Sequence, residues 1–334
     1  MIAERKYTLK DIAKRANLSV AAVSQILNNK ANDYSSEESK ALVRRIAREL
    51  NYKQAFKDKL TRGDSTNTIG LLIALPRLVR EEHCSRIILE FTQLLNQKNY
   101  NIYWRFMSNS EQENMALTQD LIERGVGHFI FLGEPYGFPQ IVHEIEEKKC
   151  TFLTYGAVTR NISRRNICSD SLAGSRSVFN YLQSLGIRNF GFLTNMSNDR
   201  FQAFKEVFPG AEITDHFIPL EETDWNDSFP LDLYRDIGYR KTHEFMQKFP
   251  ETQAVFYHSD YYALGGARYL HEHGCKVGKD VLVFGFNNTY AVRSSIVPIC
   301  SVEHDTMQIA KLIADHVTGT ENIQISVPTR LVLR

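Results

Sequence analysis

Thr8-Leu-Lys-Asp-Ile-Ala-Lys-Arg-Ala-Asn-Leu-Ser-Val-Ala-Ala-Val-Ser-Gln-Ile-Leu-Asn28 is the stretch around which the rest of the chain is organised. Its spacing predicts two short amphipathic helices joined by a tight turn. Thr8 is placed to cap the first helix, with Asp11 three residues on to reach back toward it. Leu9, Ile12, Ala13 and Ala16 recur at helical spacing as one buried stripe, while Lys10, Lys14 and Arg15 stay outside. Asn17 can end that helix in a left-handed conformation, and Ser19 can cap the second. There Leu18, Val23, Ile26 and Leu27 face inward, and Val20, Ala21, Ser24, Gln25 and Asn28 lie on the other side. Small residues, hydroxyls and two amides suit an approach to base edges in a DNA major groove. The same spacing also fits a helical hairpin on any protein surface.

The following residues favour the DNA reading. Ser35-Ser-Glu-Glu38 opens a third helix with Leu42, Val43, Ile46, Ala47 and Leu50 on its core face and Lys40, Arg44, Arg45 and Arg48 outside. Residues 1–63 hold fourteen Lys and Arg against seven acids, whereas the whole chain of 334 residues has a net charge of only +1. A basic head on an acidic body fits nucleic-acid contact through the head alone. Residues 1–52 therefore read as a small all-α helix-turn-helix headpiece, and the polar segment 53–67 as a hinge or linker.

From residue 68 the texture changes. Apolar runs such as Thr68–Leu75, His128–Leu132, Thr151–Tyr155, Asn189–Leu193, Ile213–Ile218, Ala254–Tyr257 and Val281–Phe286 alternate with helical patterns. That alternation predicts parallel sheets covered on both faces, and its length predicts an α/β body of two doubly wound lobes over 68–334. Ligands in such folds bind beyond the carboxyl ends of the strands, here between the lobes. No signal peptide or membrane-spanning run is seen, and the five scattered cysteines lack CxxC spacing, so the chain reads as cytoplasmic, without membrane, cofactor or metal. An enzyme is disfavoured by the absence of GxGxxG after a strand, GxxxxGK[ST], HExxH and GxSxG.

Thr8-Leu-Lys-Asp-Ile-Ala13, Leu18-Ser19, Val23-Ser24, Ile26-Leu-Asn28, Ser36-Glu-Glu-Ser39 and Glu49-Leu-Asn-Tyr52 resemble the headpiece of the LacI/GalR family of bacterial transcription regulators. The resemblance continues through Ile69-Gly-Leu-Leu-Ile73, Ser169-Asp170 with Gly174, Leu185-Gly-Ile-Arg188, Ser259-Asp260, Gly285-Phe-Asn-Asn288 and Cys300-Ser-Val302, nearly the whole chain. It implies a periplasmic-binding-protein-like body, with an N-lobe over about 68–157 and 289–318 and a C-lobe over about 158–288 and 319–334. It further implies a homodimer on a pseudo-palindromic operator in double-stranded DNA, switched by a small effector such as a sugar or sugar derivative. The alternative is a sugar-binding protein without operator-specific DNA binding, which accounts for the body but not for the basic head.

The resemblance also assigns candidate residues. Val20, Ala21 and Gln25 match the base-reading positions, with Gln25 standing where many relatives have Arg. Lys10, Ser19, Ser24, Asn28 and Lys30 would hold phosphates. In relatives the connector forms a helix that wedges a leucine into the minor groove. Here Leu60 is the candidate wedge and Phe56 the second, although Gln54-Ala55 replaces the family's Pro-Asn and a plain charged linker fits equally. In the cleft Arg200 matches an arginine that grips ligand oxygens, Trp225 an aromatic cover, and Asn287 a position that is often Asp. Ser259, Asp260 and Asp170 are either ligand contacts or helix caps. Arg77 and its neighbour Arg80 stand near the cleft, where a carboxylated or phosphorylated sugar or plain solvation explains them.

Overall fold

The computed structural model describes residues 7–27, 35–50, 67–156, 158–194, 199–212, 215–220 and 231–334. The headpiece and the α/β body are two compact units. In the headpiece, α1 (Leu9–Ala16), α2 (Val20–Leu27) and α3 (Glu37–Glu49) enclose a core built around Ile12, Val23, Ile26 and Val43, all fully buried. Burying one such side chain stabilises by about 1.5–3 kcal/mol, so a core of this size depends on well-made helix ends as well. Thr8 donates its backbone N–H to Asp11 Oδ2 at 2.7 Å, Asn17 takes a left-handed conformation (φ 52°, ψ 42°), and Ser19 Oγ accepts from Ala22 N at 3.1 Å. Ser36 Oγ caps α3 by accepting from Ser39 N at 3.2 Å.

The body runs β1 (Thr68–Ile73), α4 (Glu82–Gln97), β2 (Asn101–Phe106), α5 (Glu111–Glu123), β3 (His128–Leu132), α6 (Phe138–Glu147), β4 (Thr151–Tyr155) and β5 (Arg165–Ser169). It continues with α7 (Ser171–Ser184), β6 (Phe190–Thr194), α8 (Asp199–Val207), β7 (Phe217–Pro219), α9 (Leu231–Lys248), β8 (Ala254–Tyr257), α10 (Asp260–Glu272) and β9 (Leu282–Phe286). Last come α11 (Tyr290–Arg293), β10 (Cys300–His304), α12 (Thr306–His316), β11 (Ile323–Val327) and β12 (Thr329–Val332). The first sheet has the order β11-β5-β4-β3-β1-β2 and the second β12-β10-β9-β8-β6-β7. Every neighbouring pair is parallel except β10 with β12. Strands covered by helices on both faces cannot alternate polar with apolar, which is why β1, β5 and β6 are buried at every position.

The lobe boundaries differ from those expected. β5, at residues 165–169, and β11, at 323–327, belong to the N-lobe sheet, while β10, at 300–304, belongs to the C-lobe sheet. The chain therefore crosses between lobes at 169–171, 304–306 and 327–329. These crossovers are laced together. Asp170 N donates to Val327 O at 2.7 Å, Thr329 Oγ1 donates to Asp170 O at 2.9 Å, and His304 Nδ1 lies 2.8 Å from Ser169 Oγ. The strand expected at 213–218 is found at Phe217–Pro219, with 213 and 214 outside the described residues. No helix among the described residues is long and apolar enough to cross a membrane.

Candidate functional site

Two surfaces carry the candidate chemistry. In the headpiece, burial of Val23 and Ile26 fixes the rotation of α2, which leaves Val20, Ala21 and Gln25 exposed on the opposite face and Ser24 half-buried. Lys10 is exposed on α1, and Ser19, whose hydroxyl caps α2, is exposed at the turn. Asn28, Lys30, Phe56 and Leu60 lie outside the described residues.

In the body, a cavity of about 200 Å³ lies where the strand ends of the two lobes meet. The N-lobe contributes Arg77 and Leu78 from the turn after β1, and Glu81 and His83 at the start of α4. The C-lobe contributes Arg200 from α8, Tyr234 from α9, and His258, Ser259, Tyr261 and Tyr262 at the β8–α10 junction. Phe286, Asn287 and His304, at the ends of β9 and β10, close it, with Ser171 at the first crossover. Both sheets reverse direction of winding at β1/β3 and β6/β8, so the cavity sits at the topological switch points where doubly wound sheets place ligands.

A hydrogen-bond chain runs through this cavity from lobe to lobe. Asn287, at φ 99°, donates Nδ2 to Glu81 Oε2 at 3.2 Å, which leaves its Oδ1 as the acceptor facing His304 Nε2 at 3.0 Å. His304 therefore carries its hydrogen on Nε2, and Nδ1 accepts from the Ser169 hydroxyl. The His304 ring stacks on His83, centroids 4.5 Å apart. His83 Nδ1 is buried without a hydrogen-bond partner, 3.6 Å from Glu81 Oε2.

Burial dominates the electrostatics here. It pushes His258 and His304 well below the ordinary imidazole range, helped by Arg200 beside both, Arg77 beside His258 and His83 beside His304. It also lowers His83 against the pull of Glu81. These three rings are neutral hydrogen-bonding groups at pH 7. Arg200, stacked 4.1 Å over the Phe286 ring, is lowered by burial to about 10 against Asp199 and Glu81, and stays a cation.

Arg77, Arg200, Ser259 and Asn287 are thus brought together around one cavity. Asp260 and Asp170 are not. Asp260 is fully buried, accepting from Ser301 Oγ at 2.6 Å and from Thr289 N at 2.5 Å, so both oxygens are committed to holding the loop after β9 against β10. Gly285 makes room for it, since a Cβ there would strike Asp260 Oδ1. Asp170 caps α7 by accepting from Ala173 N at 2.8 Å. Trp225 lies outside the described residues. Sequence reasoning missed Glu81, His83, His258 and His304; their one shared signal is a place at or just past a strand's carboxyl end or at the start of the first body helix. No cluster of side chains suited to a metal ion occurs among the described residues.

A helix-turn-helix headpiece with an exposed amide-bearing face, carried by a body with an interlobe cavity, defines a ligand-responsive DNA-binding regulator. Residues 8–54 match the model of the bacterial regulatory proteins of the lacI family, and residues 179–334 that of a periplasmic binding protein-like domain. The chain is 24% identical to the ribose operon repressor of Halalkalibacterium halodurans, over 98% of this chain and 96% of that one. It shares its fold with the lac repressor dimer bound to operator and the anti-inducer ONPF (TM-score 0.75, 18% identity, 98% of each chain). A complex of the transcriptional regulator CelR with cellobiose is also similar (TM-score 0.63, 22% identity, 98% of this chain and 99% of that one). The chain thus joins a lacI-family headpiece to a periplasmic binding protein-like domain, and the relatives it matches along nearly their whole length are transcription regulators.

Proposed function

We propose that this protein is a repressor that acts in the cytoplasm as a homodimer, binding a pseudo-palindromic operator through two headpieces and changing its operator affinity when a sugar or sugar derivative enters the interlobe cavity. The observation that carries the reading is the orientation of α2, whose buried Val23 and Ile26 leave Val20, Ala21 and Gln25 facing outward together. Gln reads an adenine edge bidentately, and Val or Ala touches a thymine methyl. Lys10, Ser19 and Ser24 border that face and suit phosphate contacts.

In the body, Arg77, Arg200, Ser259 and Asn287 offer donors, and Tyr234, Tyr261, Tyr262 and Phe286 offer ring faces, the mixture that a sugar uses. The CelR–cellobiose complex supports a carbohydrate in a body of this fold. Because the cavity is walled from both lobes, a ligand there prefers one lobe arrangement, and that preference is what can bias the spacing of two headpieces.

Selection of bound duplexes from a random library by the purified protein, followed by titration of the selected duplex with sugars and sugar acids, tests the reading. Enrichment of a palindrome whose affinity moves with one compound is the expected result. A folded dimer that binds a sugar yet enriches no sequence would overturn it.

A further inference from the structure

We infer that His304 is the positioning residue that couples the effector cavity to the crossovers between the lobes. Ser169 holds its ring at the crossover, and Asn287 is the end of the same hydrogen-bond chain that an effector would engage. The assignment rests on the interlobe cavity being the effector site, and deepens that reading by naming the side chain through which occupancy changes the lobe arrangement.

The hydrogen-bond chain runs in one direction. The Ser169 hydroxyl donates to His304 Nδ1 at 2.8 Å, His304 Nε2–H donates to Asn287 Oδ1 at 3.0 Å, and Asn287 Nδ2 donates to Glu81 Oε2 at 3.2 Å. Each donor in such a run polarises the next, so a change at one end is felt at the other. Its course gives it a function. Ser169 ends β5 and Glu81 precedes α4, both on the N-lobe, whereas His304 ends β10 and Asn287 follows β9 on the C-lobe. The run thus leaves the N-lobe at the first crossover, passes through two C-lobe residues and returns to the N-lobe across the cavity. His304, Asn287 and Glu81 line that cavity, and Ser169 stands behind it.

His304 is also built into the crossovers themselves. It is the last residue of β10, and Asp305 after it caps α12 by accepting from Gln308 N at 2.9 Å. Thr306 Oγ1 donates to Glu90 Oε1 of α4 at 3.2 Å, which ties this crossover to the N-lobe. The neighbouring crossovers are as tight. Asp170 N is bonded to Val327 O at 2.7 Å, and a Cβ at Gly174 would strike Thr329 Oγ1. The His304 ring lies on His83 of the opposite lobe, with the two planes within 14°. Asn287 holds φ 99°, a conformation that needs support outside glycine, and its N–H bonded to Val302 O at 2.8 Å supplies it. A histidine that only filled space would not join a crossover, a cavity wall and the facing lobe at once. An effector that takes the Asn287 amide removes the acceptor of His304 Nε2, and the other polar partner of the ring is Ser169 at the crossover.

Hydrogen–deuterium exchange of the full-length protein, read by mass spectrometry without ligand or DNA, tests the coupling through a double-mutant cycle. Asn287→Gly removes the cavity end of the chain and suits the positive φ, and Ser169→Ala removes the crossover end. Asn287→Gly should speed exchange of the peptides spanning 169–171 and 327–329 by about two- to ten-fold, the worth of one hydrogen bond. In the Ser169→Ala background it should have no further effect. The Ser169 hydroxyl also meets Tyr155, so His304→Phe, which keeps a ring against His83, is run beside it and should abolish the Asn287→Gly effect equally. α6, on the face of the N-lobe sheet opposite α4, should keep the parental exchange rate. Unchanged crossover exchange in Asn287→Gly, additive effects of Asn287→Gly and Ser169→Ala, or equal acceleration in α6 would each overturn the inference. Failure of the regulator reading is separable, because it would show as an absence of operator selection whatever the exchange rates.

Discussion

Gln25 and Asp260 show how differently single polar residues serve this molecule. Gln25 is exposed on α2, opposite the buried Val23 and Ile26. Gln25→Ala should therefore leave stability unchanged and cost about 1–3 kcal/mol at one base pair of each half-site, the worth of a bidentate amide contact. Competition among operators mutated one base pair at a time measures this, and equal weakening on every sequence would contradict base reading. Asp260 is wholly internal. Burial raises its pKa from 3.8 to about 6, against the bonds from Ser301 and Thr289. Between those values the folded state keeps a proton that the unfolded chain gives up, so stability falls as pH rises through the window and levels off above it. Asp260→Asn lacks the titrating group. Urea unfolding of both proteins should show the balance shifting toward the variant by up to about 3 kcal/mol from pH 4 to pH 6, with no further change above pH 7. A difference that does not vary with pH would show that this carboxyl titrates normally.

At the scale of elements, β2 stands apart from the other strands. It is one of the two outer strands of the N-lobe sheet, pairs only with β1 among the described residues, and leaves Tyr103, Trp104 and Phe106 exposed. An edge of this kind, bearing exposed aromatics, suits packing by a second copy. Trp104→Glu, which shares a strand face with Phe106, should raise the dimer dissociation constant at least about ten-fold without unfolding the body. Sedimentation velocity reads this directly, and an unchanged dimer would move the interface elsewhere. The elements themselves were legible because each rule is local. The capping box at Thr8 and Asp11, the left-handed Asn17 and the unbroken apolar runs of β1, β3 and β4 need only near neighbours. The lobe crossovers were not, because both lobes repeat the same strand–helix unit, and only long-range pairing of β11 with β5 or β10 with β9 says which sheet a strand joins. The histidines of the cavity escaped for the same reason: His83, His258 and His304 lie far apart in sequence and meet only when two sheets align their ends. Asp260 was open to two readings, ligand contact or cap, and its true partners, Ser301 and Thr289, lie 41 and 29 residues away.

For the whole body, the decisive property is the balance between lobe arrangements. Among the described residues, polar bridges between the lobes include Glu81 with Asn287, Arg160 with Asp199, and Glu82 with both Tyr290 N at 2.7 Å and Arg293 at 3.2 Å. Neither Glu82 nor its partners Tyr290 and Arg293 line the cavity, so changing Glu82 acts on closure rather than on ligand contacts. Its ion pair is partly solvated and worth at most about 1 kcal/mol. The backbone hydrogen bond from Tyr290 adds about 0.5–1.5 kcal/mol. Glu82→Ala should then shift the opening equilibrium by about 1–2 kcal/mol, a factor of roughly 5–30. Apparent ligand affinity falls only as far as the closed fraction falls, so the loss in affinity cannot exceed that factor. Two readouts must agree. Small-angle scattering of the ligand-free variant should give a larger radius of gyration than the parent, and saturating ligand should restore the parent value, because ligand contacts from both walls remain. A variant with parental dimensions and parental affinity would show that the bridges form only after closure and do not drive it. In that case the free energy that sets headpiece spacing has to come from the ligand and the three laced crossovers.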